Sequence, residues 1–118
     1  MIFAEAHLKA KKGNEDRFIL PMPLINEKTS HFSFAGLKSA VAKIINEHRC
    51  TEKFKRDMSA SFQKTINKII FTKTKNAISE YKKLLKRNKD IKIVVAGGVA
   101  ANKSIRQTLK HLEEEVDC

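Results

Sequence analysis

The chain has 118 residues, of which 24 are Lys or Arg and 13 are Asp or Glu, so its net charge at pH 7 is +11. This length suits a single domain, and 42% hydrophobic with 31% charged residues is typical of a folded protein rather than a disordered tail. The four glycines exclude both a Walker A loop and a G-x-G-x-x-G dinucleotide loop by their positions. The longest apolar run, residues 93–101, is far shorter than the roughly 20 residues that span a bilayer.

The cysteines and the charge indicate a reduced cytoplasmic protein that does not enter a membrane. Cys50 and Cys118 do not make a disulfide framework or a zinc ribbon, and residues 1–12 are too charged for a signal peptide. The positive charge is typical of a protein that meets phosphates, and a lysine-rich background explains it equally well. With 7% aromatic residues and no Trp, any nucleic acid would be held mainly through its backbone.

The first half of the chain predicts two helices separated by a loop. Residues 4–12 predict a short helix that ends at Gly13, and residues 13–30, with two prolines, predict a packed loop. Ser33 is then a candidate cap for a helix over residues 37–48, where apolar residues recur at helical spacing.

The longest helix is predicted over residues 51–87. Apolar side chains recur every three or four residues from Phe54 to Leu85, which favours a core seam over a cofactor site. The other face is basic, and it is either a solvated surface or a surface that meets tRNA. Its cations are Lys53, Lys55, Arg56, Lys64, Lys68, Lys73, Lys75, Lys82 and Lys83.

The last part of the chain predicts a strand, a double glycine and a helix. Residues 91–96 are the best strand candidate, Gly97 and Gly98 follow, and residues 99–115 return to helical spacing. Such a turn requires an unusual backbone angle or a close packing contact at one of its glycines. It serves either packing alone or a ligand, since the N–H groups of the helix and Asn102 in its first turn suit a polar or anionic group.

Three segments resemble the motifs of one family. Residues 13–24 (GNEDRFILPMPL) resemble GNP-x-RF-x-FPRPL, residues 31–41 (HFSFAGLKSAV) resemble FSFSGLKTAV, and residues 95–106 (VAGGVAANKSIR) resemble VAGGVAAN-x-x-LR. The linking helix, at residues 60–63 (ASFQ), resembles an AASFQ helix. All four occur in this order in the TsaD family, formerly called Gcp or O-sialoglycoprotein endopeptidase.

The resemblance implies a helix-dominated α/β fold, a fragment of the actin-like, sugar-kinase-type ATPase architecture. Residues 1–118 would form one partial domain, with a helical region over residues 1–90 and the strand–Gly-Gly–helix unit over residues 91–118. The implied activity is transfer of a threonylcarbamoyl group from threonylcarbamoyl-adenylate to an adenosine beside the tRNA anticodon. The full-length family uses an iron or zinc ion and TsaB- and TsaE-like partner proteins.

The resemblance also implies where the adenylate would bind. Asn102 matches the asparagine that binds the adenylate, and Gly97 and Gly98 match the glycines that make room for the nucleotide. The basic residues would meet tRNA by the same analogy.

The family's metal-binding histidines, its phosphate loop and its metal-binding aspartate have no counterpart among these residues. The four histidines match none of the metal positions, and none has the spacing of an independent metal site. Transfer needs a metal to polarise the acyl donor and a loop to hold the phosphate. We therefore expect a fragment that has no cofactor of its own, is inactive alone and is complemented by the remaining segments.

Two functions follow for such a fragment: part of a tRNA-modifying transferase, or a catalytically inactive module that binds tRNA or a partner. The peptidase suggested by the older family name is disfavoured, since Ser33 and Ser39 have no assigned base and Cys118 is the terminal residue. Without the parent's central sheet, the Phe and Ile face of the long helix is expected to leave an exposed apolar patch.

Overall fold

The computed structural model describes residues 13–85, 91–97 and 101–116. Over these ranges the chain forms three helices, α1 (Leu37–Glu47), α2 (Glu52–Leu85) and α3 (Lys103–Val116), and no strand. The predicted dominance of helix is confirmed, and the predicted helix over residues 4–12 lies outside the described residues. Within the described ranges, no helix has the length and apolar character to cross a membrane.

Helix α2 is the centre of the structure. Its 34 residues extend about 51 Å at 1.5 Å per residue, and buried side chains lie around most of its circumference. Leu20, Leu37 and Ile105 pack on it from three other segments and form the main core. The predicted core seam is confirmed, but the expected apolar patch on this helix is wrong, because the chain's own loops and helices cover it. The buried residues of α2 are Phe54, Asp57, Met58, Ser59, Ala60, Ser61, Gln63, Thr65, Ile66, Ile69, Lys73 and Ile78.

The loop that begins at Gly13 lies directly against the first turns of α2. A Cβ on Gly13 would lie 2.0 Å from the carbonyl O of Arg56, so only glycine permits this approach. The carboxylate of Asp57 accepts hydrogen bonds from the backbone N–H of Asn14 and from Nη1 of Arg17, each at 2.8 Å. The first motif therefore contains the residues that attach this loop to α2.

These contacts lower the pKa of Asp57. The largest cause is the hydrogen bond from the backbone N–H of Asn14, followed by the one from the Arg17 guanidinium, since both stabilise the ionised carboxylate. Asp57 is 4% exposed, and a buried carboxylate needs partners of this kind.

The later part of the same loop is held by a buried lysine. Nζ of Lys73 donates to the carbonyl oxygens of Glu27 at 2.8 Å and Thr29 at 3.3 Å, and Lys73 is 2% exposed. Two turns further along α2, Glu80 accepts hydrogen bonds from the N–H and Oγ of Ser30. The assignment of Lys73 to a basic surface is therefore wrong, because the loop covers this part of α2 and uses the ammonium group as a donor.

Helix α1 begins without the predicted side-chain cap. Oγ of Ser33 accepts the backbone N–H of Ala35 at 3.0 Å, which stabilises the turn before the helix. The residue at the N-cap position is Gly36, whose φ of 77° lies in the left-handed region. The prediction that Ser33 caps α1 is wrong, because Gly36 lies between the turn and Leu37 and takes the N-cap position itself.

The predicted strand over residues 91–96 is not formed. Ile91 is buried against Ile78 and Leu112, whereas the exposed fractions of Ile93, Val94 and Val95 are 43%, 89% and 42%. A strand requires a neighbouring strand to which it can form hydrogen bonds, and the described residues contain no such strand. The exposed apolar surface that we expected on α2 lies instead on this segment.

We expect Gly13→Ala to lower the free energy of unfolding by about 1–3 kcal/mol, because the Cβ would overlap the backbone of Arg56. The amides of Asn14 and Phe18, which donate to α2, should also lose protection from hydrogen exchange. Gly36→Ala is the control: it also lowers stability, because its φ of 77° strains alanine, but no described atom lies within 4 Å of its added Cβ, so it should leave those two amides more protected than Gly13→Ala does. Unchanged exchange in Gly13→Ala would contradict the close approach.

We expect the contribution of Asp57 to stability to disappear in acid. Because its pKa is lowered in the folded state, the unfolded chain takes up the proton first as the pH falls. The difference in free energy of unfolding between the wild type and Asp57→Asn should be largest near neutral pH and shrink as the pH falls below about 5. Urea titrations at several pH values measure it, with the exposed Glu113→Gln as control. A difference independent of pH would contradict the lowered pKa.

Candidate functional site

The turn before α3 has the backbone conformation that the sequence predicts. Gly97 has a φ of 87°, in the left-handed region that glycine adopts without strain. No atom lies within 4 Å of the position of its missing Cβ, so the backbone angle, and not the space, requires glycine here. The predicted unusual angle is thus confirmed at Gly97, and Gly98 lies outside the described residues.

Asn102 is the N-cap of α3. Its Oδ1 accepts the backbone N–H of Ile105 at 3.1 Å, and its carbonyl O accepts that of Arg106 at 3.1 Å. Its Nδ2 donates to Oε1 of Gln63 on α2 at 3.0 Å, and the residue is 5% exposed. These contacts place Asn102 where α2 and the first turn of α3 meet. Its contact with an adenylate stays a prediction.

The first turn of α3 has the chemistry to attract a polar or anionic group. The N–H groups at the start of a helix favour negative charge, and Lys103 and Arg106 add two exposed cations there. The structure therefore places Asn102 at the N-terminus of α3, while a shared site of Asn102 with Gly97 and Gly98 stays a prediction.

Sequence reasoning missed the part of Gln63 in this site. Gln63 stood out only as the last residue of a motif match, although it lies three residues from both Ala60 and Ile66, which are buried on α2. A glutamine inside an apolar stripe needs a hydrogen-bond partner when it is buried. That position was the available signal, but the partner lies 39 residues away in the sequence.

The described residues do not supply a metal site. No group of three His, Cys, Asp or Glu side chains within these ranges could hold an ion. His48 ends α1, as predicted, with Nδ1 2.8 Å from the carbonyl O of Ile44. His111 stacks on Phe71, and His7 lies outside the described residues. The donor set present therefore does not fit the iron or zinc ion that the resemblance implies for the full-length family.

The exposed side of α2 has fewer free cations than its sequence indicates. Lys64 forms an ion pair with Asp16, which raises the pKa of Lys64, and Lys75 forms one with Glu115, which lowers the pKa of Glu115. Lys68, between them on the same side of the helix, is exposed. Exposed ion pairs contribute little to stability, but they reduce the charge that a polyanion would meet.

Comparison with known proteins identifies the family. Residues 3–118 match the model of TsaD, tRNA N6-adenosine threonylcarbamoyltransferase. The chain is 50% identical over 110 residues to the protein of that name from Pelagibacter ubique (strain HTCC1062), a match that covers 92% of this chain and 30% of the relative. The protein of that name from Wolbachia pipientis wMel is 40% identical over 104 residues, which cover 86% of this chain and 30% of the relative. The one from Rickettsia canadensis (strain McKiel) is 37% identical over 107 residues, which cover 90% of this chain and 31% of the relative.

The chain thus spans about 30% of the length of the curated relatives it matches. The family match nevertheless extends over nearly all of its own residues. The turn at Gly97 and the helix that Asn102 begins both lie within it. The chain therefore belongs to the TsaD family, of which it represents a fragment.

Proposed function

We propose that the chain supplies the adenylate-binding part of a tRNA N6-adenosine threonylcarbamoyltransferase. The complete protein would transfer the threonylcarbamoyl group from threonylcarbamoyl-adenylate to an adenosine beside the tRNA anticodon. The observation that carries the proposal is the position of Asn102 at the start of α3, five residues after the left-handed Gly97 in the sequence. In this role Asn102 contacts the nucleoside, and Gly97 and Gly98 leave room for it.

The chemistry of transfer is assigned to segments outside these 118 residues. Polarising the acyl group requires an electrophile such as a metal ion, and the described residues offer no group that could hold one. The 118 residues would therefore bind and orient the nucleotide without reacting with it.

The remaining segments of a TsaD-family protein are the proposed partner of residues 91–97. This segment exposes Ile93, Val94 and Val95, and β-branched residues of this kind favour a strand within a sheet. We propose that it completes the actin-like sheet when those segments are present, on the same polypeptide or on another. TsaB- and TsaE-like proteins would then join the complete protein.

An inactive module that binds tRNA is the second candidate. The net charge of +11 and the exposed Lys68 favour it, because exposed cations displace counterions from a phosphate backbone. It requires neither a metal nor the phosphate loop.

We expect residues 1–118 alone to transfer no threonylcarbamoyl group, and to gain turnover when the flanking segments of the Pelagibacter ubique relative are added as separate polypeptides. Asn102→Ala should weaken binding of adenosine 5′-monophosphate by about 0.5–1.5 kcal/mol, which calorimetry measures. Asn102→Ser is the control, because serine restores the helix cap but not the carboxamide. It should recover the part of the stability that the cap contributes, but neither the bond to Gln63 nor the affinity.

Two results would contradict this function. Transfer by the purified 118 residues without any added segment would show that the chemistry resides in this chain. Equal affinity of the wild type, Asn102→Ala and Asn102→Ser for the nucleotide would show that Asn102 serves only as a helix cap.

If the basic side of α2 meets tRNA, affinity should fall steeply with salt. Lys64, Lys68 and Lys75 are changed together to Gln, and the slope of log affinity against log salt should decrease by about 0.7–0.9 for each phosphate that the variant no longer neutralises. The control changes three exposed lysines elsewhere in the same way: Lys38, Lys43 and Lys110. Equal slopes in the two triple variants would identify this side of α2 as an ordinary solvated surface.

A further inference from the structure

A run of side-chain amides, buried at Asn102 and Gln63 and partly buried at Asn67, joins the middle of α2 to the first turn of α3. Nδ2 of Asn102 donates to Oε1 of Gln63 at 3.0 Å, and Nε2 of Gln63 donates to Oδ1 of Asn67 at 2.9 Å. Nδ2 of Asn67 in turn donates to Oγ of Ser104 at 2.6 Å. The run starts and ends in the first turn of α3, and α2 supplies the two groups between.

The backbone N–H of Ile105 determines how the carboxamides of this run are oriented. Because Ile105 donates to Oδ1 of Asn102, the oxygen of this carboxamide must face the helix and its nitrogen must face Gln63. Gln63 must then turn its oxygen to Asn102 and its nitrogen to Asn67. A reversed carboxamide at either residue would bring two donors or two acceptors together without water to separate them.

We propose that Gln63 is a positioning residue, which holds the carboxamide of Asn102 in one orientation for an adenine nucleoside. This proposal rests on the proposed function, in which Asn102 contacts the adenylate. A carboxamide is planar. When hydrogen bonds fix one N–H and one oxygen lone pair of Asn102, they also fix the directions of its second N–H and its second lone pair. An asparagine recognises adenine by presenting a donor and an acceptor together, and that pairing requires a fixed orientation.

A tie between two helices is the competing explanation for the same hydrogen bonds. The explanations differ in one measurable respect. A tie between α2 and α3 affects only stability, whereas a positioning residue also affects nucleoside affinity. Thr65 provides the comparison, because it is buried on the same helix and its Oγ1 donates to the carbonyl O of Ser61 at 2.8 Å.

The test compares Gln63→Met with Thr65→Val in the ¹⁵N-labelled 118-residue chain. Gln63→Met removes two side-chain hydrogen bonds of α2 and Thr65→Val removes one, each with little change in volume. Each variant is titrated with adenosine, which is uncharged, while NMR follows the side-chain amide resonances of Asn102. We expect Gln63→Met to shift these resonances and to raise the dissociation constant about three- to tenfold. Thr65→Val should lower stability and change neither.

Gln63→Glu tests the same contact by keeping the acceptor that Asn102 needs. It is used alone if Gln63→Met does not fold. Its carboxylate still accepts a hydrogen bond from Asn102 but cannot donate to Asn67, so the carboxamide of Asn67 must reverse to present its N–H. The affinity for adenosine should then stay within about twofold of the wild type, and loss of that affinity in a folded Gln63→Glu variant would overturn the proposal.

Further outcomes separate this proposal from the proposed function. If Gln63→Met binds adenosine as tightly as the wild type, Gln63 does not position Asn102. If the wild type binds no adenosine, the proposed function of this chain fails. The positioning role of Gln63 then depends only on the resonances of Asn102. Their shift in Gln63→Met would support it, and unchanged resonances would overturn it.

Discussion

The burial of α2 by the chain's own segments is the constraint on which the rest of the structure depends. Three polar side chains buried along this helix each bind a different segment: Asp57 binds the start of the loop, Lys73 binds its later part, and Gln63 binds Asn102 at the start of α3. Apolar contacts supply the main driving force, but they are not directional. The buried polar groups need specific partners, and they therefore determine where each segment lies.

The candidate site depends on this same helix. Asn102 begins α3 and also bonds to α2, so the side chain proposed to meet the nucleotide is part of the packing between the two helices. Substituting it changes both properties at once. Variants that retain the cap, or that alter Gln63 instead, are needed to separate folding from binding.

The segment over residues 91–97 is the proposed connection between the fragment and the larger fold of its family. Ile91 is buried in the second core cluster, and the residues after it turn their apolar side chains to solvent before Gly97. Their composition favours a strand, but pairing is a property of two segments, and these residues contain only one of them. The short match to the relatives, about 30% of their length, is consistent with a fold completed elsewhere.

The sequence by itself determined the local features of this protein. Helical spacing predicted α1 and α2 to within a few residues of their observed ends, and the motifs identified the family. The double glycine predicted an unusual backbone angle or a close contact at one of its glycines, and the angle is observed at Gly97. Only the tertiary structure decided that Lys73 is buried, that Asp57 holds the first motif and that Gln63 holds Asn102. The physical reason is range: periodicity and turn conformation depend on neighbouring residues, whereas each of these contacts joins side chains and backbone groups about 40 positions apart.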